Sequence, residues 1–278
     1  MPSASAALVN AKKAMEDRYL FDPLIRYTLI ENFEKLPQDS AHVYPTDGTL
    51  ATTTQAELLA YTRSHKGWLL GGTNIATNFA TACIFGSPGG ITLSSLTTAS
   101  DQVIISPLLL NSVQQSAWGG TGWSPAKQLV FRTVFSLSSP TLTDLLIHIK
   151  LALTAVLDTS TDNDQVGCRF DSATNSTGAL IPFTSIAGTD ADITPDWSFV
   201  PVSGTHYELS IELDAGRVPT FFINRQRWAR GTTALSATVS GGYGPSGVGF
   251  GPVIGCQCVT SQASLINIRQ VMLSRTLA

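Results

Sequence analysis

Hydrophobic and polar residues alternate without a break from Tyr207 to Asp214. Tyr207, Leu209, Ile211 and Leu213 fall on one side, and Glu208, Ser210, Glu212 and Asp214 on the other. That is the period of a strand with one buried and one wet face. Asp214-Ala215-Gly216-Arg217 supplies turn chemistry and residues 220–224 resume a β-rich run, so the segment predicts a hairpin. The same period marks residues 145–157, where Leu145, Ile147, Ile149, Leu151 and Leu153 share a face and predict a core strand. Further strands are expected over 91–93, 102–105, 129–137, 166–170, 180–186, 252–259 and 265–273, separated by turn signals. Many short strands of this kind predict a two-sheet sandwich. From Trp68 onward the β region has about 210 residues, too long for an immunoglobulin-type domain of about 100. No repeat is visible at a period of 20 to 50 residues.

The first 65 residues read differently. Asp22 is a good N-cap with Pro23 at the first helical position; Ile25, Leu29, Phe33 and Leu36 follow at helical spacing, and Pro37 ends the run. Thr54-Gln55-Ala56-Glu57 is a capping box leading into Leu58, Leu59 and Tyr61, and an earlier helix fits residues 6–15. The expected division is a helical N-terminal arm over 1–65, for anchoring or oligomer contacts, and a β-sandwich over 66–278. Helices this short need something to pack on. Either the chain's own β domain or another subunit or scaffold meets that need, and the sequence leaves both open.

Composition narrows the classes. Of 278 residues 43% are hydrophobic and only 13% charged, and the net charge is −3, so nucleic acid is not an expected partner. Arg225, Arg227 and Arg230 lie along the hairpin and read as a solvated edge that discourages strand pairing. The longest apolar run, 145–157, contains His148 and Lys150 and is about 13 residues long, short of the roughly 20 needed to span a membrane. The N-terminus shows no secretory pattern, which predicts a protein made and kept in a cytoplasm or released by lysis. Four cysteines, Cys83, Cys168, Cys256 and Cys258, are too few for a disulfide framework and lack the partners of a zinc site, so buried free thiols are expected.

Candidate chemistry is sparse. Gly242-Tyr243-Gly244-Pro245-Ser246-Gly247 has dinucleotide-loop spacing, but Pro245 and the glycines after it replace the required helix, and a surface loop is expected. His42, His65, His148 and His206 are scattered without ligand spacing. Asp162-Asn163-Asp164 offers oxygens to calcium, although an acidic turn is the commoner reading. Trp118, Trp123 and Trp197 sit among Gly, Pro, Ser and Thr, where an indole either stacks on a sugar ring or plugs the end of a sandwich. No cofactor or metal is expected.

The hairpin, together with the long closing run of 264–273, resembles the concanavalin-A-like (lectin, glucanase or laminin-G-like) jelly roll over roughly residues 68–278. The resemblance implies a two-sheet antiparallel sandwich in which this hairpin lines the concave face where sugars bind or glycosidic bonds break. Glucanases of the family carry Glu-x-Asp-x-x-Glu on a strand. Glu212 and Asp214 match its first two acidic positions, and Arg217 stands where the second Glu belongs. Glu208 lies about 13 Å from Glu212 along a strand, too far for either hydrolytic mechanism, whereas Glu212 and Asp214 at roughly 6.6 Å match only the inverting separation. The expectation is therefore a chain that is not an enzyme.

Low charge, a helical arm and a jelly roll also resemble structural proteins of tailed bacteriophages, especially capsid decoration (cement) proteins. That resemblance implies a homotrimer in the virion, assembled in the host cytoplasm and attached to the major capsid protein or other virion proteins, with Ile25, Leu29, Phe33 and Leu36 as the anchoring face. The alternative is a carbohydrate-binding adhesin or fibre head that recognises surface glycans through Trp118, Trp123 and Trp197. Neither reading predicts a membrane partner.

Overall fold

A computed structural model describes residues 26–33, 69–72, 83–85, 90–95, 97–106, 123–137, 145–152, 157, 164–171, 178–236, 250–259, 263 and 265–277. Its strands, numbered in chain order, form two antiparallel sheets. Sheet A runs β13 (Gln226–Arg230), β12 (Pro219–Ile223), β11 (Tyr207–Leu213), β6 (Val130–Leu137), β15 (Leu265–Thr276), β4 (Ile91–Ser94) and β3 (Cys83–Phe85). Its eighth strand, β1 (Arg26–Asn32), also pairs with β15. Sheet B runs β10 (Thr189–Asp192), β9 (Ile181–Ile186), β8 (Gln165–Asp171), β7 (Leu145–Ala152), β14 (Gly251–Cys258), β5 (Gln102–Ser106) and β2 (Leu69–Gly72).

The alternation read from sequence sets which side chains meet between the sheets. Sheet A contributes Phe131, Phe135, Leu209, Ile211, Phe221 and Trp228, and sheet B contributes Ile147, Ile149, Leu151, Val166, Phe170 and Ile254; all are buried in one cluster. Burial of each such side chain stabilises the fold by about 1.5–3 kcal/mol. The four cysteines are buried free thiols, and burial pushes those of Cys168 and Cys256 far above the ordinary thiol range. The closing strand β15 returns beside the opening strand β4, and Arg227 and Arg230 lie on edge strand β13, both as the sequence suggests.

The helix expected around Ile25, Leu29, Phe33 and Leu36 is corrected. Residues Arg26–Asn32 form a strand in register with β15, from Arg26 opposite Thr276 to Asn32 opposite Gln270. A spacing of four is close to one helical turn, but it is also two strand repeats, so the apolar positions fitted either period. Tyr27, Thr28 and Ile30 favour the extended choice, and a seven-residue ladder completes it. Phe33 is buried in the chain's own core, with Leu29 packed against that cluster. Ile25, Leu36 and the helices expected over 6–15 and 54–61 lie outside the described residues.

Candidate functional site

Alternation that fills the core with odd positions of β7 must turn the even ones outward. On the outer face of sheet B those are Leu146, His148, Lys150 and Ala152, and strand pairing sets neighbours beside each. Lys150 stands between Gly167 of β8 and Val253 of β14, and His148 between Arg169 of β8 and Gly255 of β14. Ala152 lies beside Gln165, and Leu146 beside Asp171 and Gln257. From β9, Phe183 and Ser185 join the rows of Gly167 and Gln165; from β5, Gln102 and Ile104 join those of Gln257 and Gly255.

This outer face grades from open to sealed. Leu146, Asp171, Gln257, Gln102 and Arg169 are half-buried, whereas His148, Lys150, Gln165, Phe183 and Ser185 are buried. An apolar patch of Ile104, Ala152, Leu157 and Val253 flanks the polar part. Lys150 Nζ donates to Gln165 Oε1 at 2.6 Å, which satisfies part of a buried ammonium's requirement. Arg169 donates to Asp192 Oδ1 at 2.8 Å, has Asp190 at 3.9 Å, and lies over the Phe183 ring at 5.5 Å. Gln102 Nε2 donates to Gln257 Oε1 at 3.0 Å, fixing two amides side by side on the open part.

Gly167 makes room for Lys150, and Gly255 for the β5 backbone and Leu157. A Cβ at Gly167 would lie 2.3 Å from Lys150 Cβ, and one at Gly255 would lie 2.6 Å from Val103 O and 2.9 Å from Leu157 Cδ2. His148 packs edge-on to Phe183, with ring centroids 5.9 Å apart. Among the described residues its buried Nδ1 finds no hydrogen-bond partner. Burial, then the charges of Lys150 and Arg169, hold its pKa well below the ordinary imidazole value, so the ring is neutral at pH 7. Asp164, just before β8, is buried too; burial raises its pKa, opposed by hydrogen bonds from Ser236 and the Ala187 backbone.

The hairpin singled out in the sequence lies on the other sheet. Glu208, Ser210 and Glu212 face outward from β11; Glu208 Oε1 lies 3.8 Å from Arg225 Nε and finds no hydrogen-bond partner among the described residues. Ser210 Oγ donates to Glu212 Oε1 at 3.1 Å, and Arg132 of β6 approaches Glu212 at 3.7 Å. Asp214 accepts from Val218 N and from Arg230, caps the turn, and so is not a strand residue facing Glu212. Arg217 sits in that turn with φ 64° and donates to Leu235 O. The strand ends at Leu213, so the Glu-x-Asp-x-x-Glu pattern does not lie on one strand here: Asp214 and Arg217 belong to the turn that follows.

Trp123 and Trp197 pack against different partners. Trp123 is fully buried against Tyr27, with Arg275 over its ring at 5.8 Å. Trp197 is half-buried beside β13, donates Nε1–H to Arg227 O at 2.9 Å, and packs edge-on to Phe199. Trp118, Asp162 and the glycine loop at 242–247 lie outside the described residues. The sheet B residues escaped the sequence reading because His148 and Lys150 looked like interruptions of an apolar run. Their one signal was that both fall on the even positions of a strand whose odd positions are all apolar.

No protein-family model matches the chain, and no curated protein matches it in sequence. Solved structures resemble it in fold. A protein of unknown function from Shewanella oneidensis MR-1 aligns over 99% of this chain and 95% of its own, with TM-score 0.52 and 13% identity. A structure described under endo-acting O-glycanases of human gut microbiota that initiate mucin breakdown aligns over 90% and 99%, with TM-score 0.50 and 9% identity. These likenesses agree with the two-sheet jelly-roll sandwich. They also correct the expectation that the chain is not an enzyme, because the sandwich it adopts also serves glycanases and does not separate binding from cleavage. One of these proteins is of unknown function and the other concerns glycanases, so the capsid, cement and homotrimer expectations gain no support from them.

Proposed function

We propose that the chain is a carbohydrate-recognition module that takes a glycan across the outer face of sheet B. The observation that carries this reading is the graded polar row on that face: Gln102, Gln257, Asp171 and Arg169 on the open part, ending at the buried imidazole of His148. Amides, a carboxylate and a guanidinium on one rigid sheet supply the donors and acceptors that sugar hydroxyls need, and Leu146 adds an apolar surface for a ring face. The fold shared with a structure concerned with mucin O-glycans supports glycan as the ligand class. This is the adhesin alternative moved from the tryptophan loops to a sheet face.

The reading is tested by titrating the full chain with glycans released from mucin and with laminarihexaose, by calorimetry. Saturable binding to one of them is expected, weakened about five- to tenfold by Gln257→Ala through loss of one hydrogen-bonding amide. Glu212→Ala, on the opposite sheet, is expected to bind like the unmodified chain. Equal loss in both variants, or no binding at all, contradicts the reading.

A further inference from the structure

Apart from the glycan face, we infer that the outer edge of β10 docks an extended segment of another protein that carries basic side chains at alternate positions. β10 is the last strand of sheet B, and all four of its residues are exposed. Its turn with β9, Ala187-Gly188, has φ 51° and 77°, the left-handed pair of a two-residue type I′ hairpin. That turn makes Ile186 and Thr189 a hydrogen-bonded pair, and Thr184 and Ala191 the next one. Ile193 N–H donates to Pro182 O at 2.8 Å and keeps the same phase. Asp190 and Asp192 therefore turn both their N–H and their C=O groups away from β9. Among the described residues no strand pairs with that edge.

The edge strand of the other sheet is guarded where β10 is not. On β13, Arg227 O accepts from Trp197 Nε1 at 2.9 Å, Trp228 O accepts from Asp196 N at 2.7 Å, and a register shift interrupts the pairing with β12. Charged side chains often protect a strand edge. On β10 they are drawn off it: Asp190 and Asp192 share the outer face of sheet B with Ser185 and Phe183, and Arg169 of β8 reaches across β9 to them at 3.9 and 2.8 Å. The backbone edge stays clear. Two carboxylates share this one guanidinium, so the group keeps a net negative charge.

That charge decides the occupant. An antiparallel strand added here sets one residue opposite Asp190 and another, two positions away, opposite Asp192, each with its Cα about 5.5 Å from its partner. Opposite charges in such cross-strand pairs stabilise, and like charges destabilise. A second copy of β10 puts aspartate against aspartate, so self-pairing is disfavoured. Lys or Arg at both positions is the complement. The residue between them lies beside Ala191, on the side of the strand away from the two carboxylates, and a β-branched residue suits it. A sugar chain lacks the regular N–H and C=O ladder that this edge complements.

The test measures amide hydrogen exchange by NMR on the full chain at low salt, with two end-blocked peptides as probes, Thr-Lys-Val-Lys-Thr and Thr-Glu-Val-Glu-Thr. The basic peptide is expected to slow exchange of the Asp190 and Asp192 amides about fivefold or more, while the acidic peptide leaves them unchanged. A contact this short binds weakly and loses strength as salt is added. The double variant Asp190→Asn with Asp192→Asn is expected to bind the basic peptide about five- to tenfold more weakly. Because the unmodified chain supplies the exchange rates, the test holds even if the variant fails to fold. No slowing at these two amides up to the solubility limit of the basic peptide overturns the inference, as does equal slowing by the acidic one. Protection of the same amides without peptide, in a chain that sediments as a dimer, overturns it in favour of a second copy. The glycan reading stands or falls separately.

Discussion

His148 ties the local packing to a measurable pH dependence. Burial and two neighbouring cations lower its folded-state pKa, while in the unfolded chain it returns to the ordinary value near 6.5. Below about pH 6.5 the unfolded chain therefore binds a proton that the folded chain resists. Stability from this group is fully present above that value and is lost as pH falls toward the lower folded-state pKa. Asp164 works in the opposite sense: its raised pKa means its contribution is present at low pH and is lost as pH rises through that value. Thermal melts of His148→Gln against the unmodified chain between pH 7 and pH 5 separate the two, and a shallower acid loss is expected in the variant. A second residue-scale prediction concerns Arg225, which with Asn224 occupies the left-handed region at the β12–β13 turn (φ 68° and 48°). Glycine is the usual second residue of such a turn, and Arg225 is 63% exposed on its side chain in a loose 3.8 Å ion pair with Glu208. Arg225→Gly is expected to leave stability unchanged or raise it by up to about 1 kcal/mol, whereas Arg225→Val lowers it by more than about 1 kcal/mol in a denaturant melt.

Elements were legible in proportion to how far their pattern excluded other periods. Strands β7 and β11 alternate over enough residues that only a period of two fits, and their positions were readable from Ile147, Ile149, Leu209 and Ile211 alone. β1 was not readable, because Leu29 and Phe33 satisfy both a helix and a strand, and its partner residues on β15 lie 238 to 250 residues away in sequence. β1 nonetheless belongs to the fold: Phe33 is buried, and Arg26 and Thr28 both bond to Ser274 Oγ at 2.9 Å. Phe33→Ala is therefore expected to cost about 3 kcal/mol in chemical unfolding of the chain alone. A change near zero would mean that this strand contributes little to the sandwich. In sheet B, Gly167→Val forces a side chain into Lys150 and the β7 backbone, and a loss of about 1–3 kcal/mol or failure to fold is expected.

For the molecule as a whole, alternation was enough to reach a two-sheet sandwich and the concanavalin-A-like resemblance implied the jelly roll, but neither reached the outer face of sheet B. His148, Arg169, Gln257 and Gln102 come from four strands spread over more than 150 residues, and only the order β8-β7-β14-β5 sets them side by side. No linear motif encodes that neighbourhood. Glu212 and Asp214 did form a linear motif, yet a turn after Leu213 separates their roles. The most direct measurement of the central claim is a crystal structure of the full chain grown with the tightest-binding mucin-derived or laminarin oligosaccharide. The sugar is expected on the outer face of sheet B, over Leu146 and Gln257. A sugar found instead on the β11–β12 hairpin face, or stacked on Trp197 with sheet B bare, would contradict it.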